Sequence, residues 1–365
     1  MEAERDLAGL VLPFAAGVAA VVYAESIFCR YPISLTIIIM LSCGAGLSFL
    51  MHPFRKSAET SVRNTLIIST GLTAGMLCGC TATMTYVSSL ETYREFRNIG
   101  SAMEAAIDGI PFAEAQTNSI LKALITGNRS DIPVHITEAF RKSGASHILA
   151  LSGLHLGIIY GIVYNLLRIV GNTRYATFIR SGITILLCGL YTVATGAGPS
   201  ITRAFLFILL SETARLTGRH RSTGSSLLAS LLIQLALSPT SIKSAGFQLS
   251  YAAMAGIAFI FPWLEGLWPD DGKKFNPVRW MWKSAAMSIS CQLTTGPLAF
   301  IYFGTFPKYF LLTNLMALPL TGIIIPASLL TLALSIIGIC PDILLRATEM
   351  LVTALSEALN IISSM

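Results

Sequence analysis

Apolar runs long enough to cross a bilayer recur along nearly the whole chain, and that repetition leaves few architectures open. A helix needs about 20 apolar residues to span the hydrocarbon. Eleven candidates fall near 7–28, 33–51, 65–88, 148–168, 181–198, 200–214, 223–238, 246–264, 284–303, 310–337 and 343–361. Charged residues make up 12% of the 365 and hydrophobic ones 53%, whereas a soluble chain carries about 25% charged residues. Most ordinary cytosolic enzymes and any disordered scaffold are thereby excluded. The pattern predicts an all-α integral membrane protein, a polytopic bundle of about 11 transmembrane helices. The first run is too long for a signal-peptide core and a second follows at once, so no short cleavable signal is expected. The tenth carries Pro319 and Pro326 and is expected to bend or split.

Charges between the runs orient the chain. Arg55, Lys56 and Arg63 follow the second run, and Arg168, Arg174 and Arg180 surround the end of the fourth. Arg215, Arg219 and Arg221 follow the sixth, and Lys273, Lys274, Arg279 and Lys283 follow the eighth. All fall on one side of an eleven-span threading, while the opposite short loops hold Arg30, Lys243 and Lys308. The positive-inside rule puts the basic side in the cytoplasm. The N-terminus is then cytoplasmic and the C-terminus extracytoplasmic. The net charge of +6 is mainly this topology signal and says little about nucleic acid. Cys29, Cys43, Cys78, Cys80, Cys188, Cys291 and Cys340 are scattered, mostly within apolar runs, and read as small apolar residues.

Residues 89–147 differ from the rest, with six basic and seven acidic side chains. The stretch 102–124 reads as an amphipathic helix with Ile107, Ile110, Ile120, Leu121 and Leu124 on its apolar side. Gly127 to Pro133 reads as a turn, and a second short helix is expected over 134–143. The organisation expected is N-terminal transmembrane helices over 1–88, an extracytoplasmic helical region on the outer face over 89–147, and a transmembrane channel domain over 148–365.

The segment richest in chemistry is Gly144-Ala145-Ser146-His147-Ile148-Leu149-Ala150-Leu151-Ser152-Gly153-Leu154-His155-Leu156-Gly157. On one helix His147 and His155 would lie about 80° apart around the axis and ~12 Å along it, too far to share a metal ion. Ser152 and His155 are close enough in sequence to touch, so an intramembrane hydrolase dyad is one reading. Hydrogen bonding to neighbouring helices, or lining a wet cavity, is the other. Gly153, Gly157 and Gly161 form a small-residue ridge suited to close helix packing.

Further on, Thr195-Gly196-Ala197-Gly198-Pro199 breaks one helix and starts another, placing Arg203 about a turn inside an apolar run. Such an arginine snorkels to the surface or lines a vestibule that attracts anions. Gln248 and Ser250 in Gly246-Phe247-Gln248-Leu249-Ser250, Gln292 before Gly296-Pro297, and Asn314 before Pro319 place polar groups inside apolar spans. They can satisfy backbone freed at broken helices. No Gly-x-x-x-x-Gly-Lys-Ser/Thr phosphate loop and no metal-ligand spacing occurs in the sequence. Neither a catalytic residue nor a metal or other cofactor is expected.

The segment 146–157 resembles the signature of the ComEC family of competence proteins. Arg203-Ala204 after a Gly/Ser break, the Gly246–Ser250 motif, Gln292 with Pro297 and Asn314 with Pro319 follow in that family's order, over roughly 115–335. The resemblance implies a channel that imports single-stranded DNA across the bacterial cytoplasmic membrane during natural transformation. His147, Ser152, His155, Arg203, Gln248, Ser250, Gln292 and Asn314 would line the strand's path. It also implies a lipid bilayer, a DNA receptor, a separate nuclease and a cytoplasmic ATP-driven translocase as partners, and leaves homo-oligomerisation open. Many members carry a small β-barrel (OB) domain and end in a β-lactamase-like hydrolase domain. Here 89–147 is too short and too helical for a complete barrel, and no metal motif follows the channel, so a nuclease role does not transfer. The alternatives are a small-solute or lipid transporter of the same fold, or a hydrolase using Ser152 and His155. Tyr160, Tyr164, Phe247 and Tyr251 could stack on bases, but aromatics at helical spacing are more often core.

Overall fold

The computed structural model describes residues 2–23, 60–85, 92–171, 173–218, 222–268, 276–304 and 306–364. The span expected over 33–51 lies outside the described residues, with Cys29, Cys43, Arg30, Arg55, Lys56, Arg219, Arg221, Lys273 and Lys274. Every element among the described residues is helical. Besides short 3-10 turns at Leu167–Val170 and Pro239–Lys243, they are in chain order α1 Glu2–Tyr23, α2 Thr60–Thr85, α3 Thr92–Asp108, α4 Ala115–Thr126, α5 Val134–Ser143, α6 Ser146–Leu149 and α7 Gly153–Leu166. Then come α8 Arg174–Ala194, α9 Pro199–Thr217, α10 Thr223–Leu237, α11 Ala245–Gly266, α12 Pro277–Phe303, α13 Phe310–Ile336 and α14 Asp342–Ser364.

Four of these are long and apolar enough to cross a membrane: Glu4–Tyr23, Arg174–Ala194, Ala245–Gly266 and Phe310–Ile336. Three apolar helical stretches are shorter, at Ile67–Thr81, Gly153–Ile169 and Thr223–Leu237. The reason others fall short is compositional. Helix α9 carries Arg203, Glu212 and Arg215, and α14 carries Asp342, Arg346, Glu349 and Glu357. Helix α13 stays continuous through Pro319 and Pro326 and is not split.

Two compact units make up the chain, Met1–Thr92 with Thr217–Tyr251, and Tyr93–Leu216 with Ala252–Met365. The first is organised by the packing of α2 on α1. Gly71, Gly75 and Gly79 recur every four residues along α2 and face α1. A Cβ at Gly71 would overlap Leu10 O, one at Gly75 would overlap Phe14 O, and one at Gly79 would lie 2.9 Å from Val21 Cβ. Gly17 of α1 makes the reciprocal approach, meeting Leu72 O and Met76 N. Backbones this close gain dispersion contacts that no larger residue permits. Phe14, Val18 and Val22 of α1 then bury against Leu235 and Phe247.

The second unit has the larger core. Ile107, Ile110, Ile120, Leu121, Leu124, Ile136 and Phe140, from α3 to α5, bury with Ala317, Ile324 and Leu332 of α13 and with α14. Helix α14 presents Leu345, Thr348, Val352, Leu355, Leu359 and Ile362 as its buried stripe, at the three-and-four spacing of an amphipathic helix. Each fully buried Leu or Ile contributes about 1.5–3 kcal/mol. The apolar side read from 102–124 is therefore covered by the protein's own helices. Its single helix is in fact two, because Gly109 and Pro111 interrupt it. The amide of Asn118 donates to Ile107 O at 3.1 Å and Ile110 O at 3.2 Å, satisfying carbonyls that the break leaves open.

Lys122 fastens these helices. It is 6% exposed, and its Nζ lies 2.7 Å from Asp108 and 2.6 Å from Asp131. Burial pulls the Lys122 ammonium down, but its hydrogen bonds to both aspartates outweigh this and hold it above its ordinary value. The Asp131 carboxyl is held below its ordinary value by the Lys122 hydrogen bond first, then by Ser130. A depressed acid stabilises the fold above its unfolded pKa and loses that contribution as pH falls through the folded one. A raised base stabilises below its unfolded pKa and loses that contribution as pH rises through the folded one. Stability is thus expected to fall below about pH 4 and above about pH 10.5. Lys122→Met should flatten the acid limb when unfolding is followed against pH, and an unchanged limb would rule the clamp out.

Candidate functional site

The signature segment lies where the second unit turns from short helices into α7. Gly127 and Gly144 close α4 and α5 with left-handed φ of 81° and 86°. A side chain at Gly127 would strike Leu151, and one at Gly144 would strike Pro307. The segment 146–152 is thereby held from both sides. Thr313 Oγ1 donates to Ser143 O at 2.7 Å, and Arg129 Nε donates to Leu149 O at 3.1 Å. Burial holds the Arg129 guanidinium below its ordinary value.

Within that frame the helix breaks. Helix α6 ends at Leu149, Ala150 is extended, and Ser152 is the N-cap of α7, with φ −120° and ψ 171°. Ser152 Oγ accepts from Leu154 N at 3.2 Å, and Ser152 N donates to His155 Nδ1 at 3.3 Å. This is a capping box, with His155 at the position usually held by Glu or Gln. The span expected from 148 therefore starts its helix only after Ser152. The backbone N–H can only donate, so Nδ1 is an acceptor and the neutral imidazole carries its proton on Nε2. Ser152 Oγ, 2.9 Å from Nδ1, then donates to it.

His155 is 1% exposed, and its Nε2 has no hydrogen-bond partner among the described residues. A hydrolytic dyad needs a group that orients the far nitrogen, and none of the described residues does so. Ser152→Ala is expected to cost about 0.5–2 kcal/mol through loss of the cap. His155→Gln should keep the box and most of the stability, and His155→Ala should not. Equal losses for both in thermal unfolding would show that the box does not hold the helix.

The other expected residues fall as follows. His147 is exposed on α6, with Nδ1 3.0 Å from Gly144 O. Arg203 is buried on the first turns of α9, and its Nη2 would lie 3.4 Å from a Cβ at Gly153. It thus stands beside the Ser152–His155 cap. A Cβ at Gly157 or Gly161 would meet nothing within 4 Å, so among the described residues the ridge makes its close approach at Gly153. Gln292 folds over Gly296, its Nε2 3.4 Å from where a Cβ would be. Asn314 Oδ1 is buried without a described partner, on α13, which packs against α7. Gln248 and Ser250 belong to the first unit. Gln248 Nε2 donates to Tyr23 OH at 3.0 Å and Ile242 O at 2.8 Å, which makes it a clamp for that unit's helix ends.

Sequence reasoning missed a buried polar cluster joining α7, α8 and α9. Glu212, 1% exposed, accepts from Tyr160 OH at 2.6 Å and Ser181 Oγ at 2.7 Å, and pairs with Arg215 at 2.7 Å. Arg203 is thus accompanied by a second buried charge on the same helix. The available signal was an acidic residue inside an apolar run, one turn from an arginine. Among the described residues no group of His, Cys, Asp and Glu could hold a metal ion.

The family model described as "Competence protein" matches residues 124–365. ComE operon protein 3 of Bacillus subtilis is 34% identical over 137 residues, covering 37% of this chain and 17% of that protein. Recombination protein 2 of Haemophilus influenzae is 25% identical over 210 residues, 55% of this chain and 26% of that protein. The uncharacterized protein YcaI of Escherichia coli is 25% identical over 227 residues, 60% of this chain and 30% of that protein. The chain spans less than a third of the length of these curated relatives. No solved structure matches it. With the match running from the end of α4 through α14, and so across the capped helix break, the chain belongs to the Competence protein family, the ComEC family.

Proposed function

We propose that this chain is the channel portion of a ComEC-type importer, carrying single-stranded DNA across the bacterial cytoplasmic membrane during natural transformation. Its family is related to DNA uptake in competence, and the match over 124–365 is the observation that carries the reading. The proposed topology has eleven spans, with the N-terminus in the cytoplasm, the C-terminus outside, and 89–147 as an extracytoplasmic helical region between spans 1–88 and the channel domain 148–365.

A phosphate charge taken through hydrocarbon would cost on the order of 10 kcal/mol. A path of hydroxyl, amide and imidazole groups lowers that cost without holding the strand as a densely basic lumen would. His147, Ser152, His155, Arg203, Gln292 and Asn314 of the second unit are proposed to line it, and Gln248 and Ser250 to contact the strand in their own unit. Two facts support a wet path. His155 Nε2 and Asn314 Oδ1 are buried polar atoms without a protein partner among the described residues, and such atoms are ordinarily satisfied by water or ligand. The reading is non-enzymatic. A DNA receptor, a separate nuclease and a cytoplasmic ATP-driven translocase are its proposed partners.

The test is deletion of the gene in a naturally transformable host, followed by uptake of marked DNA. Loss of transformants, restored by the wild-type chain and poorly by Arg203→Gln, is expected. Unchanged transformation overturns the proposal. His155→Gln separates it from a hydrolase, because the variant keeps the cap and removes the imidazole. Retained uptake with His155→Gln supports a conduit.

A further inference from the structure

The cluster on α7, α8 and α9 holds more positive charge than it neutralises. Among the described residues Glu212 is its one carboxylate, and Tyr160, Ser181 and Arg215 already occupy it. Arg180 is left over. Its side chain is 6% exposed, its Nε is buried without a hydrogen-bond partner among the described residues, and none of the ion pairs among them includes it. Its guanidinium lies over the ring of Tyr164, with Cζ 4.7 Å from the centroid. Arg215 reaches the same ring, at 4.6 Å. Two guanidinium groups therefore share one aromatic ring beside a single carboxylate.

A buried guanidinium without an ion pair of its own is costly. A cation–π contact offsets only part of that cost. The planar fork of arginine matches a phosphate oxygen pair better than any other cationic side chain does. We propose that Arg180 and Arg215 bind one phosphodiester group over Tyr164. Both an anionic lipid headgroup and the backbone of a DNA strand offer this chemistry, and the strand source rests on the conduit reading above.

The experiment uses the whole chain in phosphatidylcholine nanodiscs, with two probes. Retention of phosphatidylglycerol is read by native mass spectrometry, and binding of a labelled oligodeoxythymidylate by anisotropy across a salt series. Arg180→Gln is expected to weaken at least one probe tenfold or more. If the oligonucleotide is the one weakened, the salt slope should fall by about one. Thermal stability should stay level or rise, because a lone buried charge has been removed. Arg174→Gln, at the exposed start of the same helix, should stay within twofold of wild type.

Loss of lipid retention with intact oligonucleotide binding assigns the site to a headgroup and leaves the conduit reading to its own uptake test. Loss of oligonucleotide binding alone assigns it to the strand. Wild-type binding of both probes by Arg180→Gln overturns the site, and so does an equal loss in Arg174→Gln. If Arg180→Gln does not fold, Arg180→Lys decides. It keeps the charge and removes the fork, so affinity at wild-type level overturns the proposal and a several-fold loss upholds it.

Discussion

Glu212→Leu is expected to destabilise the second unit by about 1–3 kcal/mol, the cost of leaving a buried hydroxyl without its acceptor, since the Arg215 side chain it pairs with is 32% exposed and can turn to water. The carboxylate is 1% exposed and bonds to side chains from three helices. Its removal leaves Arg215 beside Arg180 with no counter-charge, and strips the Tyr160 and Ser181 hydroxyls of their acceptor. A hydroxyl left buried and unpaired costs about 1–3 kcal/mol. Glu212→Gln keeps an acceptor oxygen and removes the charge, so it should fall between the two. Adding Arg180→Gln to Glu212→Gln should recover part of the loss, because the excess positive charge is then reduced. This non-additivity is what a double-mutant cycle reads. Unfolding of the four proteins in one lipid composition checks it. A loss under ~1 kcal/mol for Glu212→Leu would mean that water reaches the two hydroxyls as well.

What the sequence could show followed from how local each signal is. Apolar runs are a property of consecutive residues, so the expected runs among the described residues are largely helical, the run from 148 only after its break at Ala150–Ser152. The cap at Ser152 was only half visible. The Ser-x-x-His spacing gave the contact, but histidine replaces the usual Glu or Gln, and the contact reads equally as a dyad until Nε2 is seen without an orienting group. The apolar side of 102–124 was found residue by residue. Its covering by α13 and α14 was not, because those helices lie some two hundred residues further along the chain. In the sequence Arg180 reads as a loop charge that orients the chain, since its distance from Tyr164 exists only in the fold. Nor can spacing say which small residues are covered. Gly153, Gly157 and Gly161 repeat at the same interval as Gly71, Gly75 and Gly79, yet α1 lies against the second set and a Cβ at Gly157 or Gly161 would meet nothing described within 4 Å.

That difference sets the other large effect. Gly75→Leu is expected to destroy the packing of α2 on α1, because even its Cβ would overlap the carbonyl oxygen of Phe14. Side-chain overpacking in a core typically costs about 1–3 kcal/mol when neighbours can shift. Here the obstacle is a helix backbone, whose movement would also pull Phe14, Val18 and Val22 away from Leu235 and Phe247. The cost should sit at or above the upper end of that range, with a fall in yield of folded protein. Gly75→Ala should show most of the effect, since the clash begins at Cβ. Gly157→Leu is the control, because the helix propensity gained is similar and the space is open. It should be close to neutral in the purified chain. Equal damage from Gly75→Leu and Gly157→Leu in a thermal unfolding series would mean that a further helix covers Gly157. Tolerance of both would refute close packing of α2 on α1.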